Sequence, residues 1–422
     1  MTELLLQATA TPFSDHPSVS GHLTFSVEAD PARETRLVEA WTEMRLHRRV
    51  RSACAGRPRA ALPDMPGILP PGAGVVEEAL CQDMLARARR MAGFDTPPPA
   101  GAAHAAGRRL GLLADADAPQ SDAGAEWRRW AGHADQEGAD LLRARFAAGD
   151  DADASAAFQC IRVTLGRMLD HLSVAPAGLL PPVDRLDLPE ILLLARLVEI
   201  DAELRDDLEA ADLPAMLARL TRFCADELTT GWAGLRADLL AADADASGRR
   251  AVAAVAARAF NHLVAWVAPL LPFTAEEAWL ARWGAGAGSV HERLWPSVDP
   301  LWATPGTILA NRRLDRLRGL VRDVAAGKTF GADTVVELDL PADRRPPFRD
   351  GELARLLGVG RLRLRSLPAG AAPTARLAAP GESHLKIPGS GMVRDGFFIR
   401  FQGGTDAISD HHPAPGARPA HG

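Results

Sequence analysis

Five arginines crowd one predicted helix: Arg312, Arg313, Arg316, Arg318 and Arg322, with Asp315 the single acid among them. Guanidinium forks match phosphate oxygens in geometry and charge, so such a cluster supplies sequence-independent affinity for an RNA backbone. Arg361, Arg363 and Arg365 repeat the theme at alternate positions, which puts all three on one face of a strand. The competing reading is a solvated, self-repelling face in a chain rich in arginine.

A second chemistry is suggested by Leu69-Pro70-Pro71-Gly72-Ala73-Gly74, a loop that runs straight into a helix starting at Val75. Helix N-termini bind phosphate through free N–H groups and the macrodipole. The loop lacks the lysine of a P-loop and the spacing of a dinucleotide fingerprint, so Gly72 and Gly74 mark a degenerate nucleotide site at most. Gly284 to Ser289 is equally glycine-rich and lysine-free, and reads as a flexible connection. Asp243, Asp245, Ser247 and Gly248 copy the first half of a calcium loop, but the twelfth position, which needs a bidentate Glu, is Ala254. Cys54, Cys81, Cys160 and Cys224 are scattered, which indicates neither a disulfide framework nor a thiolate zinc site. His104, His133 and His262 are isolated histidines, read as satisfied or solvated, and His411-His412 has no further ligands. No catalytic set and no metal site is assigned.

The chain has 422 residues, 47% of them hydrophobic and 24% charged, enough for two or three domains with real cores. A net charge of −6 argues against wholesale coating of nucleic acid, DNA included. Lys328 and Lys386 are the only lysines, which excludes any mechanism built on a lysine cluster. No apolar run approaches the roughly 20 residues that span a bilayer, and the Met1-Thr2-Glu3-Leu4 start lacks the basic region of a signal peptide. A cytoplasmic protein without a membrane role is expected.

Stepping along the chain, a strand or loop at Leu23 to Val27 precedes a helix from Pro31 to Ala55. Leu37, Val38, Trp41 and Met44 stripe that helix, while Leu46 and Val50 lie off the stripe. The Pro/Gly-rich run Leu62 to Gly74 is loop, and Val75 to Met91 is helix. Pro97 to Asp122 lacks periodicity and reads as linker. Order resumes near Glu126. Gly138 to Arg143 opens or continues a helix, Gly149 to Asp153 breaks it, and Phe158 to Leu172 forms another. Three helices between 186 and 283 carry apolar residues at helical spacing and form an antiparallel bundle, with the helix from Phe158 as a fourth member. Ile308 to Val324 is a further helix. The period then changes to strands at Val335 to Leu340, Arg361 to Arg365 and Gly396 to Phe401.

The bundle is punctuated by Leu271-Pro272-Phe273-Thr274-Ala275-Glu276-Glu277. Pro272 ends one helix, and the next is expected to start at once, with Thr274 as N-cap and Glu277 completing a capping box.

With these runs in hand, the sequence resembles class I aminoacyl-tRNA synthetases, isoleucyl-tRNA synthetase in particular. Trp266 to Trp279, Ser289-Val290-His291 and Trp295-Pro296 look like the corner of that family's anticodon-binding helical domain. Gly138-Ala139-Asp140-Leu141-Leu142-Arg143 looks like the helix after its second catalytic signature, and Arg87 to Asp95 like the helix after its first. Lys328 to Leu340 is similar to the segment beyond the bundle.

The departures weigh as much. Counting back from Met91-Ala92-Gly93-Phe94, the family's His-Ile-Gly-His falls on Gly72-Ala73-Gly74-Val75, where only the glycine survives. Its Gly-Trp-Asp-Cys-His-Gly falls near Gly101 to His104 without Trp or Asp. Its Lys-Met-Ser-Lys-Ser loop belongs between Gly107 and Gly138, which contains no lysine. The editing insertion and the C-terminal cysteine zinc site are missing too. Each preorganised donor to developing charge is worth about 3 to 4 kcal/mol, so losing two histidines and two lysines removes many powers of ten in rate.

The resemblance therefore implies a truncated, degenerate relative. The expected fold is mainly α: a vestigial Rossmann-remnant α/β part at 1–106, a linker or excision scar at 107–125, and connecting helices at 126–185. An anticodon-binding-like bundle follows at 186–326, then a small α+β domain at 327–404 and a disordered tail at 405–422. The expected partner is tRNA, with an active synthetase or another protein as a further partner, and no cofactor. Two alternatives remain open: an active isoleucine-type tRNA ligase, which would use ATP, and a helical scaffold without an RNA role.

Overall fold

The computed structural model describes residues 24–63, 74–97, 105–113, 124–149, 151–174, 179–240, 246–325 and 334–378. Gly72, most of the 62–74 loop and the strand expected at Gly396 to Phe401 lie outside them. Two compact units divide the chain at Leu314 and Asp315.

The first unit is helical. Helices α1 (Pro31–Glu43), α2 (Leu46–Cys54), α3 (Val75–Met91) and α4 (Ala105–Arg109) precede α5 (Ala125–Glu137), α6 (Ala139–Ala148) and α7 (Asp151–Val174). After them come α8 (Leu188–Glu209), α9 (Leu213–Arg222), α10 (Ala237–Leu240), α11 (Ala246–Val267) and α12 (Pro272–Trp283). Helix α9 continues as a wider π-helix over Phe223–Ala233. Helix α7 packs on α9 and α11, as the fourth member of the bundle. Ile161, Leu165, Ile200, Leu204, Leu220, Phe260 and Trp266 fill its core. A smaller core joins Leu37, Trp41, Leu46, Val50, Leu80, Leu110 and Leu142 to Phe273 at the start of α12. The N-terminal helices thus pack directly on the bundle corner.

Three sequence expectations are corrected. The helix expected over 31–55 is two helices, because Arg45 takes left-handed dihedrals (φ 52°) between α1 and α2. That break turns Leu46 and Val50, off the first stripe, into the core. Within the expected linker, α4 forms and Leu110, Leu112 and Leu113 are buried; alanine-rich composition concealed a short packed segment. Among the described residues up to 106 there are helices and one isolated bridge, Arg59 to Asp95, and no strand.

The second unit begins within helix α13 (Pro305–Ala325). It carries β1 (Val335–Pro341), α14 (Asp350–Leu356), β2 (Arg361–Leu367) and β3 (Thr374–Leu377). The sheet order is β2-β1-β3, with β1 parallel to β2 and antiparallel to β3. Val336, Leu338 and Leu362 are buried with Leu353 and Leu356 of α14, so one sheet face is covered by a helix. Among the described residues no helix is long and apolar enough to cross a membrane.

Candidate nucleic-acid interface

Helix α13 is amphipathic for a plain reason. Ala310, Leu314, Leu317 and Val321 recur at helical spacing and are buried. Arg312 and Arg316, four residues apart, are exposed on the opposite side, with Arg313 half-buried beside them. Arg322 is exposed on the other flank. Arg318 departs from the expectation. Its side chain is 11% exposed, bonded to the Leu356 carbonyl (3.4 Å) and paired with Asp315 (3.1 Å). It secures the helix, and the candidates for phosphate contact contract to Arg312, Arg313, Arg316 and Arg322.

The corner at Pro272 is built differently from its sequence reading. Pro272 is the first residue of α12 and Leu271 its N-cap, a position proline suits. Thr274 is therefore inside the first turn and no capping box forms. The cap comes from Asp140, whose oxygens accept from the backbone nitrogens of Phe273 (3.3 Å) and Thr274 (2.6 Å). Arg162 takes up both residues of the expected box, donating to Thr274 Oγ1 (2.9 Å) and Glu277 Oε2 (3.0 Å).

The same device recurs on either side. Glu34 on α1 accepts from the nitrogens of Ala139 (2.6 Å) and Asp140 (3.2 Å), capping α6. Glu276 on α12 accepts from Ser289 Oγ and Val290 N, both at 3.0 Å, and from the Trp41 indole at 3.1 Å. Trp41 stacks on Phe273 at 4.9 Å. Each carboxylate meets unpaired N–H groups at a helical N-terminus. Burial and the nearby Asp140 charge raise the Glu34 carboxyl despite these donors. Burial likewise pushes Glu276 up to about 7.

Beneath the corner lies a cationic cluster. Asp83 accepts from Arg87 (2.8 Å) and Arg143 (2.9 Å), and Arg143 also donates to the carbonyls of Pro269 and Leu270. Burial would raise Asp83, but Arg87, Arg143 and Arg90 outweigh it and hold it at about 2. Arg90 is 2% exposed, yet none of its three guanidinium nitrogens has a hydrogen-bond partner. Burial lowers its pKa to about 10. Arg87 Nη1 stands 3.2 Å from His291 Nδ1; burial, then the Arg87 charge, hold the imidazole neutral. This is the chemistry of a framework; among the described residues no group of three or more His, Cys, Asp or Glu could hold a metal ion.

Gly74 caps α3, and its nitrogen donates to Glu77 (3.1 Å). The carboxylates of Glu77 and Glu126 occupy the space where a side chain at Gly74 would stand. A phosphate approaching this helix start would meet two negative charges.

Sequence reasoning missed the capping roles of Asp140, Glu34 and Glu276, and Arg162, which bonds Thr274 and Glu277. Asp140 and Arg143 were visible as parts of a motif, but no local signal assigns a cap across the chain.

Against known proteins, residues 191–339 match the family described as the anticodon-binding domain of tRNA ligase. The isoleucine–tRNA ligase of Agrobacterium fabrum is 38% identical over 163 residues, 36% of this chain and 17% of that protein. That of Ruegeria pomeroyi is 29% identical over 188 residues, 40% and 19%. The Zymomonas mobilis enzyme is 34% identical over 173 residues, 38% and 18%. The chain thus spans less than a fifth of these relatives' length. A solved LeuRS–tRNA–LeuAMS ternary complex from Agrobacterium radiobacter K84 covers 40% of this chain and 21% of its own, at 18% identity and TM-score 0.31, too slight a likeness to argue from. Over 191–339 the chain carries a tRNA-ligase anticodon-binding region.

Proposed function

We propose that this chain binds tRNA through its helical bundle and α13, and that it does not activate an amino acid. The observation that carries the reading is the anticodon-binding match over 191–339, a span that includes α13 with Arg312 and Arg316 in solvent. Guanidiniums four residues apart on one helix face suit successive phosphates, and their contribution is electrostatic and salt-sensitive.

The second half of the proposal rests on the start of α3. Residues 72–75, which align with the family's His-Ile-Gly-His, hold no histidine, and the helix start is screened by Glu77 and Glu126. Developing phosphate charge would find no donor side chain there and two repelling carboxylates. ATP–pyrophosphate exchange dependent on isoleucine tests this directly. Exchange at the level of a heat-killed control is expected; exchange above it would make the chain a working ligase.

A further inference from the structure

The α+β unit carries an arginine-lined sheet face separate from the arginines of α13. Strand register places Glu337 of β1 opposite Arg363 of β2 and Arg376 of β3. Both bond to it: Arg363 through Nη1, and Arg376 through Nε at 2.7 Å. Arg365, one pleat further along, reaches the same carboxylate at 3.2 Å. Arg361 lies on the same face by alternation. Opposite them, α14 covers the other face.

Glu337 has a fully covered side chain, yet it sits at the sheet surface; what covers it is the ring of arginines. Burial would raise its pKa, but hydrogen bonds from Arg376 and Arg363 and the charge of Arg365 hold it below the usual carboxylate range. It remains a single negative charge among three positive ones. Counting Arg361 and Asp339 adds one of each sign, so the face is net positive by two. Arg376 and Arg365 are 53% and 37% exposed. Glu337 fixes the guanidiniums in place, which lowers the ordering cost of binding an anion. Arginines at alternate positions stand about 6.6 Å apart along β2, a row that suits a chain of charges better than one small ion. Among the described residues β1, β2 and β3 carry no aromatic side chain, so the strands themselves offer no platform for base stacking.

We propose that this arginine-lined sheet face is a second RNA contact, gripping the phosphodiester backbone without reading bases. It rests on the tRNA-binding reading and adds to it a surface on the other unit.

The test is a salt titration of tRNA binding to the full chain, with the double variant Arg365→Ala/Arg376→Ala, the variant Asp339→Asn, and Arg312→Ala/Arg316→Ala on α13. The double variant is expected to weaken binding about tenfold at 100 mM salt and to lower the slope of log K against log salt by about 2. Asp339→Asn, which makes the face more positive, is expected to tighten binding about two- to threefold. Improvement of that kind cannot come from damaged folding. Unchanged affinity and slope in the double variant would overturn the inference while the α13 variant still weakened binding. If the unaltered chain bound no tRNA, the tRNA reading itself would fall first. Displacement of RNA by polyglutamate at equal charge concentration would also overturn it, by showing a face that prefers acidic polypeptide.

Discussion

Asp140 accepts a hydrogen bond from the backbone nitrogen of Thr274 at 2.6 Å, across 134 positions of sequence. Two runs that resemble the same family, Gly138 to Arg143 and Trp266 to Trp279, are thereby one structural feature. With Glu34 behind Asp140 and Glu276 ahead of it, three carboxylates cap the starts of α6, α12 and the short 3-10 turn Val290–Glu292.

Leu271 supplies no side-chain cap to α12, so removal of the remote cap should be felt in full. Asp140→Ala is expected to destabilise the chain by about 1–3 kcal/mol, the range for charge-assisted bonds to buried donors. Urea unfolding measures it. A loss below a few tenths of a kcal/mol would mean that another group caps α12.

Glu276 makes stability depend on pH with a definite sign. Its folded pKa of about 7 lies above the unfolded value, so the folded state holds the extra proton between roughly pH 4.5 and 7. Stability from this group therefore falls as pH rises through that window. Glu276→Gln removes the titration, so relative to the parent it should gain on the order of 2 kcal/mol between pH 5 and 7.5. Burial lowers His262 to about 4, so this group loses stability as pH falls below about 6.5. It is common to both proteins and cancels in their difference, which unfolding at several pH values reads out.

Arg90 is the reverse case, a buried cation whose guanidinium makes no hydrogen bond and which shares its counter-charge, Asp83, with Arg87 and Arg143. Arg90→Met keeps most of the volume and removes the desolvated cation. Unfolding free energy is expected to rise by about 1–4 kcal/mol. A clear loss would show that attraction to Asp83 outweighs the cost of burying the cation.

On α13 the arginines should separate by role. Arg312→Ala and Arg316→Ala are each expected to lower the salt slope of tRNA binding by about 1 and to leave the melting temperature in place. Arg318→Ala should do the opposite, since its guanidinium secures Asp315 and Leu356.

What the sequence made legible follows from which forces are local. The helices from Val75 to Met91 and through the bundle announce themselves by apolar spacing, and they stand where that spacing puts them. Leu46 and Val50 were visible as misfits to the first stripe, but the left-handed Arg45 that resolves them carries no glycine to mark it. The Leu110 to Leu113 segment was hidden by its alanine- and glycine-rich surroundings. The Thr274–Glu277 pattern is a sound local signal that a distant carboxylate outcompeted, and periodicity has no access to a bond between positions so far apart. Of the arginine cluster, the face of Arg312 and Arg316 was readable at 3.6 residues per turn; the capture of Arg318 by Leu356 and Asp315 was not.

The central claim is that the bundle and α13 recognise tRNA, and competition filter binding at low salt tests it most directly. Folded tRNA should displace a labelled tRNA at least tenfold more effectively than random RNA of the same length. Equal displacement by the two RNAs would contradict the account.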